Sequence, residues 1–359
     1  MVYSVPVRAF PRGLPQESCA PSGWLSAGES PPAVNRSLPA VFSSFPAIVI
    51  GAVLLAVSAA LAQDTVFRVD VDLVRLVATV RDANGAPVGG LASEDFEVFD
   101  NGLRQEIAVF EHSTDQPLSV ALLVDTSGSA ARKLGEETAS VVRFLDTLFA
   151  GGNPADRVAL YSFNHDVSLE TPFTRRVGRL EKDLRGLSAE AGTSLYDAIY
   201  FASRALRARE ARRVILAVTD GADTTSVNTF QSALREAHLA DAVIYGIMIM
   251  PVTNDAGRHV AGENALIALA AGTGGAVFTA AWGEMLDAAL ESVLRDLRSQ
   301  YMIGYYPRNA PPSREAFHRV ELTVKRPGLR AVTRSGYYGD YAEASQSGTG
   351  QSGPERIIR

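Results

Sequence analysis

Hydrophobic and polar positions change their rhythm several times along this 359-residue chain. From Ser37 to Gln63 no residue is charged, and a dense apolar core runs from Ala47 to Leu61. From Val66 to Val80 β-branched residues are dense. Val69, Val71 and Leu73 alternate there with Asp70 and Asp72, the two-residue period of a strand. The strand pattern extends to residue 112. Asn84-Gly85 and Asn101-Gly102 punctuate it as hairpin turns, since both residues of a tight two-residue turn need positive φ. Asp82-Ala83-Asn84-Gly85 faintly resembles a calcium loop, but the twelfth position is Ser93, where a bidentate Glu is required, so the turn is preferred.

From Pro117 short apolar strands alternate with amphipathic helices. Leu118–Val124 is a continuous apolar strand. Leu134, Thr138, Val141, Val142, Leu145 and Leu148 then mark one helical face at i, i+3, i+4 spacing. Strands follow at Arg157–Phe163, at Val167–Phe173 (an antiparallel partner across Asn164-His165), at Val214–Thr219, at Ala242–Met250 and at Ala276–Ala280. Helices are predicted at Leu195–Arg209, Thr229–Leu239, Asn264–Ala271 and Trp282–Gln300. After Gln300 the strand period returns at Tyr301–Tyr306, His318–Lys325 and Arg330–Tyr338.

This order predicts an α/β fold, a doubly wound, mostly parallel Rossmann-like sheet covered on both faces, with ligands at the carboxyl ends of its strands. The β-rich flanks 64–113 and 301–339 sum to about 90 residues, each too short for a core of its own, and together match one small β-sandwich. The α/β domain is then inserted into, or flanked by, a split sandwich. The resulting division is a leader and secretory signal (1–62), the first sandwich part (63–116), the α/β domain (117–300), the second sandwich part (301–339) and a disordered Gly/Ser/Gln-rich tail (340–359).

Composition changes the picture in three places. With 47% hydrophobic and 21% charged residues the chain is of ordinary globular make-up. Its net charge of −6, without a long basic run, argues against a nucleic-acid partner. The single Cys19 excludes an intramolecular disulfide framework and a cysteine-built zinc site, and the five histidines lack metal-ligand spacing. Arg36, the apolar run and Ala60-Leu61-Ala62 describe a secretory signal cleaved after Ala62, giving a periplasmic or extracellular protein. The alternative is an uncleaved membrane anchor, since about 20 apolar residues span a bilayer; Pro46 and the alanine-rich end favour cleavage.

The candidate chemistry sits on three loops. The first apolar strand ends in Asp125-Thr126-Ser127-Gly128-Ser129, a second loop is Gly192-Thr193-Ser194, and a third is Thr219-Asp220-Gly221. Taken alone, Ser127 or Ser129 reads equally well as a helix cap. All three loops, however, fall at strand ends or helix starts that such a sheet brings together. Two carboxylates and three hydroxyls suit a hard divalent cation such as Mg²⁺, which prefers about six oxygen ligands and keeps some waters. So few direct carboxylates leave the ion electrophilic and open to an acidic oxygen from another molecule.

At these residues the sequence resembles the von Willebrand factor type A domain. Asp125-x-Ser127-x-Ser129, Thr193 and Asp220 match all five positions of that family's metal-ion-dependent adhesion site. The resemblance covers roughly 117–300. It includes Arg157–Phe163, Ala242–Ile247 and Ala271–Gly275, with Ala191-Gly192 where many members carry two glycines. The flanks, Leu91-x-x-Glu94-Asp95-Phe96-x-Val98, Tyr301-x-x-Gly304-Tyr305-Tyr306-Pro307 and Ser335-Gly336-Tyr337-Tyr338, resemble a bacterial von Willebrand A-related group common in Acidobacteria. The resemblance implies binding of a protein ligand through its Glu or Asp, dependent on Mg²⁺ or Mn²⁺. Ser127, Ser129 and Thr193 would be hydroxyl ligands, and Asp125 and Asp220 would act mainly through waters or hydrogen bonds.

The remaining polar residues read more plainly. Asp223 is a solvated turn carboxylate rather than part of the site rim, and Asp197 complements a helix dipole rather than bracing loop two. His165 and Asp166 occupy an exposed hairpin turn. Tyr305, Tyr306, Tyr337 and Tyr338 serve sandwich packing or edge decoration rather than an aromatic binding face. Arg204, Arg207, Arg209, Arg212 and Arg213 form a solvated helix end. An enzyme is disfavoured. No histidine is placed on a strand-end loop to serve as base for Ser127, the G-x-S-x-G elbow and the P-loop are absent, and Ser127 stands where a phosphatase would need a second Asp. The leading expectation is an exported, metal-dependent adhesion module. The alternative is a structural envelope-assembly protein whose metal only stabilises the loops.

Overall fold

The computed structural model describes residues 73–112, 116–128, 134–220, 223–250, 260–281, 283–308 and 316–339, all within the compact unit Val69–Arg359. The leader and its cleavage site, strand residues 66–72, Ser129, Gly221, Trp282 and the tail 340–359 lie outside the described residues.

The central sheet consists of β5 (Leu118–Asp125), β6 (Arg157–Phe163), β7 (Val167–Thr174), β8 (Arg212–Thr219), β9 (Ala242–Ile249) and β10 (Val277–Ala280), in the order β10-β9-β8-β5-β6-β7. All neighbours are parallel except the edge strand β7, which runs antiparallel to β6. Every residue of β5 is buried, as a strand covered on both faces requires. Alternate residues serve opposite layers. Leu118, Val120, Leu122 and Val124 share a core with α1 (Leu134–Ala150), α2 (Val177–Arg185) and α6 (Glu284–Ser299). Ala121 and Leu123 share the other core with α3 (Leu195–Arg207), α4 (Phe230–Leu239) and α5 (Val260–Thr273). The chain leaves β5 first to β6 and later returns to β8 on its other side, so the strand order reverses at β5.

The flanking strands are β1 (Val74–Arg81), β2 (Phe96–Asp100), β3 (Leu103–Gln105), β4 (Ile107–His112), β11 (Tyr301–Tyr305), β12 (Phe317–Val324), β13 (Arg330–Val332) and β14 (Gly336–Tyr338). They make two four-stranded sheets, β13-β1-β11-β4 and β14-β12-β2-β3. Each sheet draws on both ends of the chain. One core unites them, with Leu76, Ala78, Val80, Ile303 and Tyr305 from the first sheet against Phe96, Val98, Val320 and Leu322 from the second.

Three sequence expectations change. Arg330–Tyr338 is not one strand. β13 pairs with β1 and β14 with β12, and the chain crosses between the sheets where the Thr333 hydroxyl donates to Val77 O (2.9 Å) and Ser335 N to Gly272 O (2.9 Å). Asn101-Gly102 is the expected hairpin turn, with φ of 47° and 80° joining β2 to β3. At Asn84-Gly85 only the glycine (φ 81°) is left-handed, because the Asp82 side chain accepts from Asn84 N (2.9 Å) and Ala86 N (2.8 Å) and closes a wider loop. Helix α2 is an addition: only Leu180 and Leu184 mark its buried face, and its N-terminus has no side-chain cap.

Two buried polar groups fix the sandwich. The Asp100 carboxylate, fully buried, accepts from Tyr305 Oη (2.9 Å) and Tyr337 Oη (2.7 Å) and faces His318 Nδ1 at 2.9 Å. Tyr305 is therefore a core residue, whereas Tyr306 is exposed. His238 of α4 stacks on Phe317 of β12 (5.4 Å) with Nε2 2.8 Å from Gly272 O, and burial holds its pKa below the ordinary 6.5. Replacing Asp100 by Ala would strip the buried Tyr305 phenol and the half-buried Tyr337 phenol of their shared acceptor and should cost about 3 kcal/mol in urea unfolding. The unfolded chain takes up the His238 proton near pH 6.5 and the folded chain only at lower pH. Stability should therefore fall as pH drops through 6.5, and His238→Gln should flatten that slope in melts from pH 7 to 5.

Candidate functional site

Where the strand order reverses, the carboxyl ends of β5 and β8 lie side by side, the place where open α/β sheets bind ligands. Asp125, the last residue of β5, is 1% exposed. Its Oδ1 accepts from Ser127 N (2.8 Å) and its Oδ2 from the Thr219 hydroxyl at the end of β8 (2.6 Å). Desolvation, reinforced by the charge of nearby Asp220 and opposed by the Thr219 and Ser127 hydrogen bonds, pushes its pKa up to about 6. An ionised carboxylate held this dry, with a second beside it, is a place where a cation relieves an electrostatic cost.

Loop one is tied to loop two by a one-residue continuation of the sheet. Ser127, 4% exposed, forms a parallel bridge with Glu190, and Glu190 N donates to Thr126 O (3.0 Å). Gly192, at φ +89°, makes the turn that follows; a Cβ there would lie 2.9 Å from His165 Cβ, so only glycine fits. Thr193 is 5% exposed and is gripped through its backbone: its N–H donates to Thr224 Oγ1 (3.0 Å), and its carbonyl accepts from Thr224 N (2.8 Å) and Thr225 N (3.2 Å). None of these bonds uses the Thr193 hydroxyl.

Among the expected site residues, Asp125, Ser127, Thr193 and Asp220 thus lie on loops that are bonded to one another, and Ser129 lies outside the described residues. The donor set fits a small hard cation held by hydroxyl oxygens with carboxylates around it. Among the described residues no three His, Cys, Asp or Glu side chains cluster as an alternative metal centre.

Several residues behave differently from expectation. Asp223 is not solvated: its Oδ1 accepts from Tyr196 N (3.1 Å) and Ser226 Oγ (2.6 Å), capping α3 from another loop. Asp197, buried in the first turn of α3, accepts from Val227 N (3.0 Å), Asn228 N (2.8 Å) and Asn228 Nδ2 (2.8 Å). It braces loop three, which an acid in a first turn does not announce in sequence. His165 does lie at a strand-end loop, since its carbonyl accepts from Ser194 Oγ (2.9 Å) and its half-exposed ring sits 3.3 Å from Asp166 and 3.6 Å from Glu190. The arginine series divides: Arg204 and Arg207, in the last turn of α3, are exposed as expected, whereas Arg212 is not solvated. Arg212 is buried against Leu297 O (2.8 Å) and Gln300, and burial lowers its pKa to about 10.

A doubly wound α/β layer with hydroxyl and carboxylate side chains gathered where its strand order reverses defines a binding-site architecture shared by several protein classes. Residues 120–222, within the α/β unit, match the family model of the von Willebrand factor type A domain. No curated protein matches the chain. Among solved structures it is similar to the conserved hypothetical protein BatB from Bacteroides thetaiotaomicron (17% identity over 51% of this chain and 100% of that one, TM-score 0.41). It is also similar to the vWF domain of the type V pili tip protein Mfa5 from Porphyromonas gingivalis (17% identity, 50% and 94%, TM-score 0.42) and to the pilus adhesin SpaC from Lactobacillus rhamnosus GG (12% identity, 72% and 46%, TM-score 0.42).

The electrostatics of Asp125 can be tested in metal-free protein. Its folded pKa of about 6 lies above the ordinary 3.8, so the folded state binds the proton more tightly and loses stability as pH rises from about 4 to 6. The difference corresponds to about 3 kcal/mol. Asp125→Asn should remove that loss, and chelated wild-type and variant protein should differ most in melting temperature above pH 6.

Proposed function

We propose that this protein is an exported, divalent-metal-dependent protein-binding module and not an enzyme, with Asp125, Ser127, Ser129, Thr193 and Asp220 holding Mg²⁺ or Mn²⁺ and a partner's Glu or Asp carboxylate completing the site. The observation that carries this reading is the buried Asp125 carboxylate, its pKa raised beside Asp220, among loops that leave the Thr193 hydroxyl out of their own bonding. A bound cation would supply a positive charge with an open coordination position for an acidic oxygen. The chain's own residues do the rest. Asp125 orients the Ser127 amide and the Thr219 hydroxyl, Ser127 and Thr193 present neutral oxygens, and Asp220, partly exposed, supplies negative charge at the mouth.

Val227, 73% exposed on loop three, would give a partner an apolar contact, and the exposed Glu190 and His165 would give it polar ones. No described helix is long and apolar enough to cross a membrane; export rests on the uncharged stretch 37–63 and the Ala60-Leu61-Ala62 site.

Calorimetric titration with Mg²⁺ and Mn²⁺ is expected to show one site in the wild type and none in Asp125→Ala or Thr193→Ala. Melting shifts should follow RT ln(1 + [L]/Kd). Absence of binding in folded wild-type protein would overturn the metal-dependent reading and leave the flanking sandwich as the basis of a structural role in envelope assembly.

A further inference from the structure

Six consecutive residues of loop three, Asp223 to Asn228, are bonded to four of the five residues from Thr193 to Asp197 in loop two and α3. Asp223 accepts from Tyr196 N, Thr224 N and Thr225 N donate to Thr193 O, and Thr225 Oγ1 lies 2.8 Å from Ser194 Oγ. Ser226 Oγ lies 3.1 Å from Asp197 N, and the Val227 and Asn228 amides donate to the Asp197 carboxylate. The bonding is reciprocal. The first turn of α3 has free N–H groups that its own N-cap Ser194 does not satisfy, and Asp223 and Ser226 cap them from loop three. Loop three has unpaired amides of its own at 227 and 228, and Asp197 of α3 satisfies them. Ser226 joins the halves, since its hydroxyl donates to Asp223 Oδ1 (2.6 Å) while accepting from Asp197 N.

The two loops joined in this way carry Thr193 and Asp220, which the sheet by itself does not hold together. Thr193 follows a left-handed glycine, and Asp220 begins the ten-residue connection from β8 to the N-cap of α4 at Thr229. We propose that Asp197 and Asp223, bridged by Ser226, are positioning residues of the metal site that lock Thr193 and Asp220 into one geometry, an inference that rests on the function proposed above. They contact neither metal nor partner; they act through the loops, as outer-shell groups that orient ligands do.

Asp197→Asn keeps the shape but retains only one acceptor oxygen, so an N–H donor is turned toward the backbone N–H of either Val227 or Asn228. Ser226→Ala removes the bridging hydroxyl, and Ser226→Thr retains it. Mn²⁺ affinity, read from the free-ion paramagnetic signal, should fall about tenfold or more in Asp197→Asn and Ser226→Ala and recover in Ser226→Thr. Faster amide exchange at Val227 and Asn228 should accompany the loss in Asp197→Asn, with unfolding still cooperative. Faster exchange with unchanged Mn²⁺ affinity would overturn the proposal. If Asp197→Asn does not fold, the Ser226→Ala and Ser226→Thr pair decides on the same criterion. If wild-type protein binds no Mn²⁺, the function above fails, and the amide resonances of Thr193 and Asp220 judge the clasp: displacement in Ser226→Ala supports it as a positioning device, and no displacement overturns it.

Discussion

Strand pairing between the two ends of the chain is the interaction on which the rest depends. β11 lies between β1 and β4, and β12 lies beside β2, so neither sheet of the sandwich exists until residues near 75–112 meet residues near 301–338. Closing a loop of that length carries an entropic cost that grows only slowly with length and falls further when the intervening chain has folded. The α/β unit does this by bringing the start of β5 and the end of α6 near each other: β4 precedes β5 by a short connection, α6 runs through Gln300 directly into β11, and β4 and β11 pair. Each part of the molecule thus supplies a boundary condition for the other.

The junction between them carries a set of polar contacts, several of them buried. Arg81 of β1 pairs with Asp296 of α6, and Gln300 links Arg212 of β8 to the Tyr245 hydroxyl of β9 (2.9 Å). Arg334 pairs with Asp241 and donates to Arg75 O (2.8 Å). Gly272 O accepts from Ser335 N and Ser335 Oγ and lies against His238. Such groups are costly to leave half-made, so they favour one seating of the sandwich on the α/β unit over nearby alternatives. Burial raises the pKa of Asp296, and Arg81 opposes that rise.

The alternation of strands and helices was legible in the sequence because it depends on local period. β6 is predicted to its end residues, and β5, β8 and β9 to within two, since residues buried on both faces leave unbroken apolar runs. The short helix α2 was not legible, as two leucines at i and i+4 without a cap are too little signal over nine residues. Nor was the break in 330–338, where the chain is turned by bonds to Val77 and Gly272, far away in sequence. The site divides in the same way. Asp125, Ser127, Thr193 and Asp220 stand in short strings with a recognisable pattern. Asp197 and Asp223 look like an ordinary helix acid and an ordinary turn acid, because what makes them different is a reciprocal set of bonds across about thirty residues of chain.

The candidate site lies at the carboxyl end of β5, whereas the amino ends of β8 and β9 face the sandwich across a cleft of about 770 Å³ lined by Arg75, Val109, Arg213 and Arg334. The two ends are separated by the length of a strand, roughly 25 Å for eight residues. A mechanical pull between the loops and the sandwich would run along the strand axes. β5 is hydrogen-bonded on both sides over its full length, to β6 and to β8, so such a load is shared across many ladder bonds in shear instead of opening them one at a time. With the site at one pole of the sheet and the sandwich at the other, a load applied between them would make the central strand a tension member.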